Sequence, residues 1–240
     1  MFWWEEQGPQ GLRVAFTNTA AGNLALHVGD DSAAVRSRRS LLEQRMGVEP
    51  GSLRFMEQVH SADVALVAPG PAADEVPVAD ALLSADGTVP LAVMVADCLP
   101  VLFAGRGPNG MITAAAHAGR RGLLDGILSN TVAAMRSAGA DGIQAWIGPG
   151  VCGQCYEVPA EMLAGAAHLP AAASQTSWGT PALDLPAAAL SQLQGLDISV
   201  ETVPGCTMEE PELFSHRRDA PTGRFAGLIW QPRQLPAHSI

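Results

Sequence analysis

Long apolar runs alternate along the chain with segments in which the apolar positions follow helical spacing. The run from Leu91 to Phe103 is nearly continuous and predicts a strand that is buried on both faces. Met111 to Ala116 predicts a second buried strand, which ends at His117. Apolar residues recur at helical spacing between Asp31 and Met46, and again between Leu123 and Ala138. Helices that lie between strands are typical of a mixed α/β domain.

Shorter segments complete the predicted fold. Further strands are expected at Arg13–Phe16, Ile143–Ile147, Ile198–Val203 and Leu228–Trp230, with two short ones within Phe55–Val67. The alanine-rich stretch Ala164–Ala173 predicts a helix followed by a loop, and Pro69–Pro77 predicts a surface loop. The chain contains no internal repeat and no clear linker, so we expect one domain that spans residues 1–240.

One glycine pattern is misleading. Gly105-Arg106-Gly107-Pro108-Asn109-Gly110 matches the GxGxxG letters of a dinucleotide site, but that motif should open a helix. Here a strand follows, so Pro108-Asn109-Gly110 predicts a hairpin turn instead. Pro100 lies inside the long apolar run and predicts a bulge or a strand end just after Cys98.

Composition excludes several classes of function. The formal net charge is -10 and the sequence pI is about 4.9, which argues against nucleic acid and anionic membranes as partners. All 14 basic residues are arginines, and this absence of lysine excludes a lysine Schiff base and a Walker-type phosphate loop. No apolar run is long enough to span a bilayer, and residues 1–6 do not resemble a signal peptide. We therefore expect a cytoplasmic protein, monomeric or homodimeric.

Three residues on separate segments are candidates for a metal site. His60, Cys98 and His117 each lie at or near the end of an apolar run. Two imidazoles and one thiolate suit a three-ligand zinc site whose fourth position is open, as in catalytic sites. Each residue also has a simpler interpretation, because a cysteine or histidine at a strand end is often just a core side chain. If Asp97 is buried beside Cys98, its carboxylate must be hydrogen-bonded.

Other polar groups could complete the site. Gln58 and His60 share one face of the chain if Val59 points inward, so both could line a pocket. Candidate anion-binding residues are Arg121, which follows His117 in the next turn, and the late cluster of Arg217, Arg218 and Arg224 near His216. Surface ion pairs would explain these arginines equally well.

The other cysteines suggest a different role. Cys152-Gly153-Gln154-Cys155 is a CxxC motif, which could be half a zinc site or a redox pair. A four-cysteine site would need a second pair, whereas Cys206 stands alone, so the sequence does not favour a structural zinc there. A disulfide framework is not expected in a chain of this length.

Eight segments in order resemble the YfiH, or laccase-domain, family. The resemblance extends over about residues 14 to 230. The matching segments are Leu24–Asp31, Gln58–Val64, Asp80–Ser84, Val95–Val101, Ala115–Gly119, Ile147–Pro149, Cys155–Val158, and Ser215–Asp219 with Thr222–Arg224. The sequence departs from the family at Arg120, where a Trp usually follows His-Ala-Gly, and it lacks a Gly-Gly-Val-Ser loop before Asn23.

The resemblance implies a fold and a function. The implied fold is a four-layer α/β/β/α arrangement with mixed sheets, and the implied metal ligands are His60, Cys98 and His117. It implies a zinc enzyme that acts on purine nucleosides, by phosphorolysis of adenosine, inosine or methylthioadenosine and by deamination of adenosine. Cys98, His117 and His216 would then be catalytic, with nucleoside and phosphate as small-molecule partners.

Three alternatives remain open from the sequence. Cys98 could be the nucleophile and His117 the base of a cysteine amidase-like enzyme that edits peptidoglycan precursors. A copper-dependent polyphenol oxidase is also implied by the family, although six histidines, two of them in the trio, are too few for a multicopper centre. The last alternative is a non-catalytic protein that binds a small ligand and has a structural metal.

Overall fold

The computed structural model describes residues 1–70 and 76–233, and within them two larger sheets pack face to face. The described strands are β1 (Phe2–Gln7), β2 (Arg13–Thr17), β3 (Val64–Val67), β4 (Ala81–Ser84), β5 (Leu91–Val95), β6 (Leu99–Gly107), β7 (Gly110–Ala118), β8 (Asp141–Ile147), β9 (Ala173–Gln175), β10 (Pro181–Leu183), β11 (Ser199–Thr202) and β12 (Phe225–Trp230). The α-helices are α1 (Ser32–Met46), α2 (Arg120–Leu124), α3 (Ile127–Ser137), α4 (Ala160–Ala164), α5 (Leu185–Gly195) and α6 (His216–Asp219). Short 3-10 turns lie at Pro9–Gly11, Thr19–Ala21 and Pro170–Ala172.

The two sheets differ in strand direction. The four-stranded sheet has the order β1-β2-β12-β5 and is antiparallel throughout. The six-stranded sheet has the order β11-β8-β6-β7-β4-β3, with parallel pairs at both edges and antiparallel pairs between them. A small hairpin of β9 and β10 stands apart from both sheets.

Side-chain alternation along the central strands creates a layered core. On β6, Val101 and Phe103 face α3 and α5, whereas Leu102 faces the other sheet. On β5, Val93 faces this same inter-sheet core, whereas Met94 joins the cluster that α1 covers. A strand buried on both faces reads as a continuous apolar run. The order of layers is therefore α1, four-stranded sheet, six-stranded sheet, and α3 with α5, which confirms the α/β/β/α arrangement.

The prediction of one strand from Leu91 to Phe103 was wrong. The run forms two strands, β5 and β6, which belong to different sheets, and the residues 96–98 connect them. Pro100 lies inside β6 opposite His117, so the strand end lies at Val95, before Cys98, and not after it. Apolar periodicity cannot show such a crossing, because both strands are buried on both faces.

Three further predictions need correction. The helix expected over Leu123–Ala138 is divided into α2 and α3 at Gly126, whose φ of +93° lies in the left-handed region. Only Val64–Val67 of the segment 55–67 is a strand, and the rest is loop with isolated bridges. The helix expected over Ala164–Ala173 instead ends at Ala164 and is followed by turns and a 3-10 helix.

Other predictions are confirmed. α1 spans almost the expected range, and the Asp31 carboxylate caps it by accepting a hydrogen bond from the Ala33 N–H at 2.9 Å. The hairpin turn between β6 and β7 lies at Pro108 and Asn109, as expected. The expected loop over residues 69–77 lies partly outside the described residues. None of the described helices has the length and apolar character needed to cross a membrane.

Candidate metal centre and active site

The loop between β5 and β6 places Cys98 where the chain crosses from one sheet to the other. Asp97 in this loop has a φ of +89°, which a residue with a side chain adopts only when its surroundings hold it there. Its buried carboxylate accepts hydrogen bonds from Thr207 Oγ1 and Ser215 Oγ, both at 2.7 Å, and from the Arg217 N–H at 2.8 Å. The hydrogen bonding that burial of Asp97 requires is therefore present, and it fixes the loop that bears Cys98.

A second aspartate holds both histidines of the trio. Asp80 is fully buried, and its Oδ1 lies 2.7 Å from Nδ1 of His117. The same carboxylate accepts hydrogen bonds from the backbone N–H groups of Val59 at 3.1 Å, His60 at 3.0 Å and Ser61 at 2.6 Å. Burial alone would raise the pKa of Asp80, but these hydrogen bonds, that from His117 first, lower it to about 2. One ionised carboxylate thus orients the ring of His117 and the loop of His60.

The three side chains converge tightly. Sγ of Cys98 lies 3.8 Å from Nε2 of His60, and the rings of His60 and His117 meet edge to face with centroids 4.7 Å apart. The three ligand atoms all lie within 4.8 Å of one another. Gly119 permits this approach, because a Cβ at that position would lie 2.6 Å from Cδ2 of His60 and 3.1 Å from Sγ of Cys98. The trio predicted from the sequence is brought together as one cluster.

The protonation of this cluster follows from its charges. Burial of Cys98 favours the neutral thiol, but the positive charge of His117 and hydrogen bonds from both imidazoles lower the pKa of Cys98 to about 6. Burial also disfavours a charged His117, but the Cys98 thiolate and Asp80 raise the pKa of His117 to about 9. Near neutral pH, the metal-free pair is therefore a thiolate beside an imidazolium.

The donor set fits a zinc-like metal ion. Zn–S bonds of about 2.3 Å and Zn–N bonds of about 2.0–2.1 Å give an S···N separation of about 3.6 Å in a tetrahedral site. The 3.8 Å between Cys98 and His60 is close to that value. The Asp80–His117 contact is the carboxylate–histidine arrangement that orients metal-binding imidazoles. His60, Cys98 and His117 can therefore hold a metal and leave one position for a substrate or water.

A cavity of about 410 Å³ opens onto the trio. Its wall includes Val151 and Tyr156, and its polar groups include His216, Arg217 and Arg224. The guanidinium carbon of Arg217 lies 4.5 Å from the centroid of the Tyr156 ring, which is a cation–π distance. The cavity thus combines a metal-binding group, an apolar wall and two cations, as small-molecule sites commonly do.

Two of the predicted anion-binding arginines lie elsewhere. Arg121 is exposed and pairs with Asp125 at 3.5 Å, so it does not line the cavity. Arg218 donates hydrogen bonds to the carbonyl oxygens of Thr207 and Leu213 and to the Asp219 carboxylate, and thus uses its guanidinium to hold the loop. Both positions agree with the ion-pair interpretation that the sequence had left open.

Gln58 also has a different position from the expected one. Its side-chain amide donates to the Met94 carbonyl at 2.7 Å and accepts from the Met94 N–H at 3.0 Å. Val59 is 43% exposed, so the condition that it points inward is not met. Gln58 joins the His60 loop to β5 and borders a second cavity, of about 370 Å³, which reaches His60 and His117 from another side and also contacts His27.

Two residues near the site were not chosen from the sequence. Asp80 and His27 appear in the segments that resemble the family, but neither was assigned a role. For Asp80, a signal was available: an acid directly before a buried apolar strand needs a partner. The position of His27 depends on long-range packing, and no local pattern indicates it.

Comparisons with known proteins find relatives along nearly the whole chain. The family model described as multi-copper polyphenol oxidoreductase laccase matches residues 13–232. A protein of Streptomyces coelicolor named purine nucleoside phosphorylase is 48% identical over 213 residues, which cover 87% of this chain and 87% of that protein. A Corynebacterium glutamicum protein with the same name is 39% identical over 237 residues, with 93% and 96% covered. The crystal structure of YlmD from Geobacillus stearothermophilus has a TM-score of 0.85 at 30% identity and covers 97% of each chain. The chain therefore belongs to the YfiH, or laccase-domain, family.

Proposed function

We propose that this protein is a zinc-dependent enzyme that cleaves purine nucleosides with phosphate and also deaminates adenosine. The observation that carries the proposal is the position of the His60, Cys98 and His117 cluster at the base of a cavity that also presents Arg217. Relatives that share up to 48% identity with this chain and are named purine nucleoside phosphorylase support the substrate class. The cavity volume of about 410 Å³ suits a nucleoside.

The residues of the cavity have separable roles in this proposal. His60, Cys98 and His117 would hold the metal, which when bound supplies Lewis-acid polarisation of the substrate or of water. Arg217 would bind the phosphate, since its guanidinium group supplies paired donors and a fixed positive charge. Arg224 uses Nη1 to donate to the Thr222 and Gly223 carbonyls, and its other N–H groups would assist. Arg217 is held in place because its backbone N–H is bonded to Asp97 and its guanidinium lies over Tyr156.

Phosphorolysis needs one nucleophile and one proton donor. A phosphate oxygen forms a bond to C1′ of the ribose, and the bond from C1′ to N9 of the purine breaks. The electron pair of that bond remains on the purine, which takes a proton from His216 and leaves as the free base beside ribose 1-phosphate. An imidazole can act as the general acid in such a transfer. In deamination, water adds at C6 of adenine and ammonia leaves.

The test combines metal analysis with a substrate screen. We expect the purified protein to contain zinc and to release free base from adenosine, inosine or methylthioadenosine only when phosphate is present. Cys98→Ala and His117→Ala should abolish both activities and the binding of zinc at this site. His168→Ala is a matched control, because His168 is an exposed histidine remote from the trio. Full activity in metal-free protein would contradict the proposal.

The role of Arg217 has its own test. Arg217→Met should raise the KM for phosphate about 10–100-fold, which corresponds to the loss of about 1.5–3 kcal/mol from a charge-assisted contact. Deamination of adenosine, which uses no phosphate, should change little. Arg121→Met provides the control, since that guanidinium is exposed and outside the cavity. Equal loss of both activities in Arg217→Met would contradict a role in phosphate binding.

A second candidate function rests on the same contacts. Asp80, His117 and Cys98 have the order of an acid–base–nucleophile triad, and the pKa of Cys98 is lowered to about 6. The protein would then be a cysteine amidase-like enzyme acting on peptidoglycan precursors. Alkylation of Cys98 in the presence of excess zinc would favour this function, whereas complete protection by zinc would oppose it.

Copper chemistry is tested by metal content. His216 and His27 border the two cavities, and His168 lies elsewhere, so the described histidines form no second cluster beside the trio. His238 is outside the described residues. One bound copper ion per chain is the most that the trio could hold, and counting copper in purified protein would show whether it does.

A further inference from the structure

We propose that Cys152, Cys155, Cys206 and Glu209 form a second, structural metal site for a thiophilic ion such as zinc. The sequence had left the CxxC without a second pair of ligands. In the structure, one ligand atom from each of the four residues lies within 4.8 Å of all the others. The cluster is distinct from the trio and shares no residue with it.

Two similar turns present the four ligands. In the first, the Cys152 carbonyl accepts hydrogen bonds from the N–H groups of Cys155 at 3.0 Å and Tyr156 at 2.9 Å. In the second, the Cys206 carbonyl accepts hydrogen bonds from the N–H groups of Glu209 at 3.0 Å and Glu210 at 2.9 Å. Each turn therefore places residue i and residue i+3 on one side of the chain. A C-x-x-C turn that faces a C-x-x-E turn therefore offers four ligands, three thiols and one carboxylate, to a four-coordinate ion.

The separations between ligand atoms fit a tetrahedral ion. Zn–S bonds of about 2.3 Å and Zn–O bonds of about 2.0–2.2 Å place S and O about 3.6 Å apart in such a site. Sγ of Cys155 lies 3.7 Å from Oε1 of Glu209. The Cys152 N–H also points at Sγ of Cys206 from 3.4 Å, a contact that stabilises a thiolate ligand. Three thiolates and one carboxylate would select a soft divalent ion.

The site joins two segments that border the catalytic cavity. The first turn follows β8 and leads into Tyr156, and the second lies between β11 and α6 and leads towards Arg217. The backbones of the two segments already meet, because the Thr207 N–H donates to the Gly150 carbonyl at 3.1 Å. Four protein ligands leave no open position, so the ion would stabilise this wall and take no part in the chemistry.

The test uses Cys98→Ala protein, in which the trio lacks its thiolate. We expect this protein to bind one cobalt ion tightly, with thiolate-to-cobalt absorption about three times as intense per ion as a single thiolate gives. Glu209→Gln in this background should weaken cobalt binding about 10–100-fold, whereas Glu210→Gln, one residue along, should not change it. Zinc should also protect all three remaining thiols from alkylation and raise the melting temperature.

Two results would overturn the second site. One is the absence of thiolate-to-cobalt absorption in folded Cys98→Ala protein. The other is alkylation of Cys152, the half-buried thiol of the cluster, at the same rate with and without zinc, a measurement that replaces none of the four proposed ligands. Neither result bears on the proposed function, because Cys98 is already absent.

Discussion

Replacement of Asp80 by asparagine tests how far one buried carboxylate supports the trio. The substituted side chain would keep the size of the original but lose its charge and one acceptor oxygen. The pKa of Asp80 is lowered from 3.8 to about 2, and this shift corresponds to about 2 kcal/mol of stability. Because the folded-state pKa is lowered, that stability is present above about pH 4 and is lost as the pH falls towards 2. The amide N–H of the asparagine would face the backbone N–H groups of the His60 loop, and two donors that face each other would lower the stability further.

We expect Asp80→Asn to lower the free energy of unfolding by about 2–4 kcal/mol, or the melting temperature by about 4–16 °C for a chain of this size. Zinc affinity should fall about 10–100-fold, because His117 loses the partner that orients it. Calorimetry and zinc competition with a chromogenic chelator would measure the two effects. Asp63→Asn is the control, because Asp63 is exposed and lies in the loop that carries His60. Wild-type zinc affinity in Asp80→Asn would refute the argument that this carboxylate positions the site.

Three other changes have separate outcomes. Gly119→Ala should weaken zinc binding at least about 10-fold, because the added methyl would lie 2.6 Å from Cδ2 of His60. Gly195→Ala is the control: a methyl there meets open space, so zinc binding should not change. The rate of alkylation of Cys98 in zinc-free protein should be half-maximal near pH 6, since the thiolate forms above the lowered pKa. His117→Ala should move that midpoint to higher pH. A midpoint above pH 8 in the wild-type protein would contradict the lowered pKa of Cys98. Asp97→Asn weakens three buried hydrogen bonds to the carboxylate, so it should lower the free energy of unfolding in urea by about 2–4 kcal/mol and raise the KM for phosphate. An unchanged KM would show that the Asp97 loop does not position the phosphate-binding residues.

The fold could be predicted as far as local pattern reaches. α1 has helical spacing and a capping aspartate, and both signals lie within its own residues. The two strands in Leu91–Phe103 appear in the sequence as one continuous apolar run. Burial on both faces removes the alternation of apolar and polar residues that would have distinguished them. The polar residue Asp97 within that run was a local indication of the crossing, and Pro100 indicated an interruption close to it.

The site was predictable where residue type determines chemistry. His60, Cys98 and His117 are scarce, metal-binding side chains, so their convergence could be proposed from the sequence alone. Arginines are different, because the same guanidinium can bind a substrate or hold a loop. Arg217 and Arg218 are adjacent in sequence, yet one faces the cavity and the other donates to carbonyl groups of its own loop. Which of them is free depends on tertiary contacts that sequence spacing does not contain.

Whether Cys98 is a metal ligand or a nucleophile can be tested through the proton that it shares with His117. The contact between Asp80 and His117 leaves Nε2 of His117 facing Cys98, and this arrangement serves a metal ligand and a catalytic base equally well. Between about pH 6 and pH 9 the metal-free pair holds a single proton, on His117. A metal needs both side chains deprotonated, so its binding must release that proton. Zinc affinity should therefore rise about tenfold per pH unit from pH 7 to 8.5 and level off above pH 9. A zinc affinity of the trio that stays constant across this range would mean that the metal does not displace the His117 proton, and would contradict the assignment of His117 as a metal ligand.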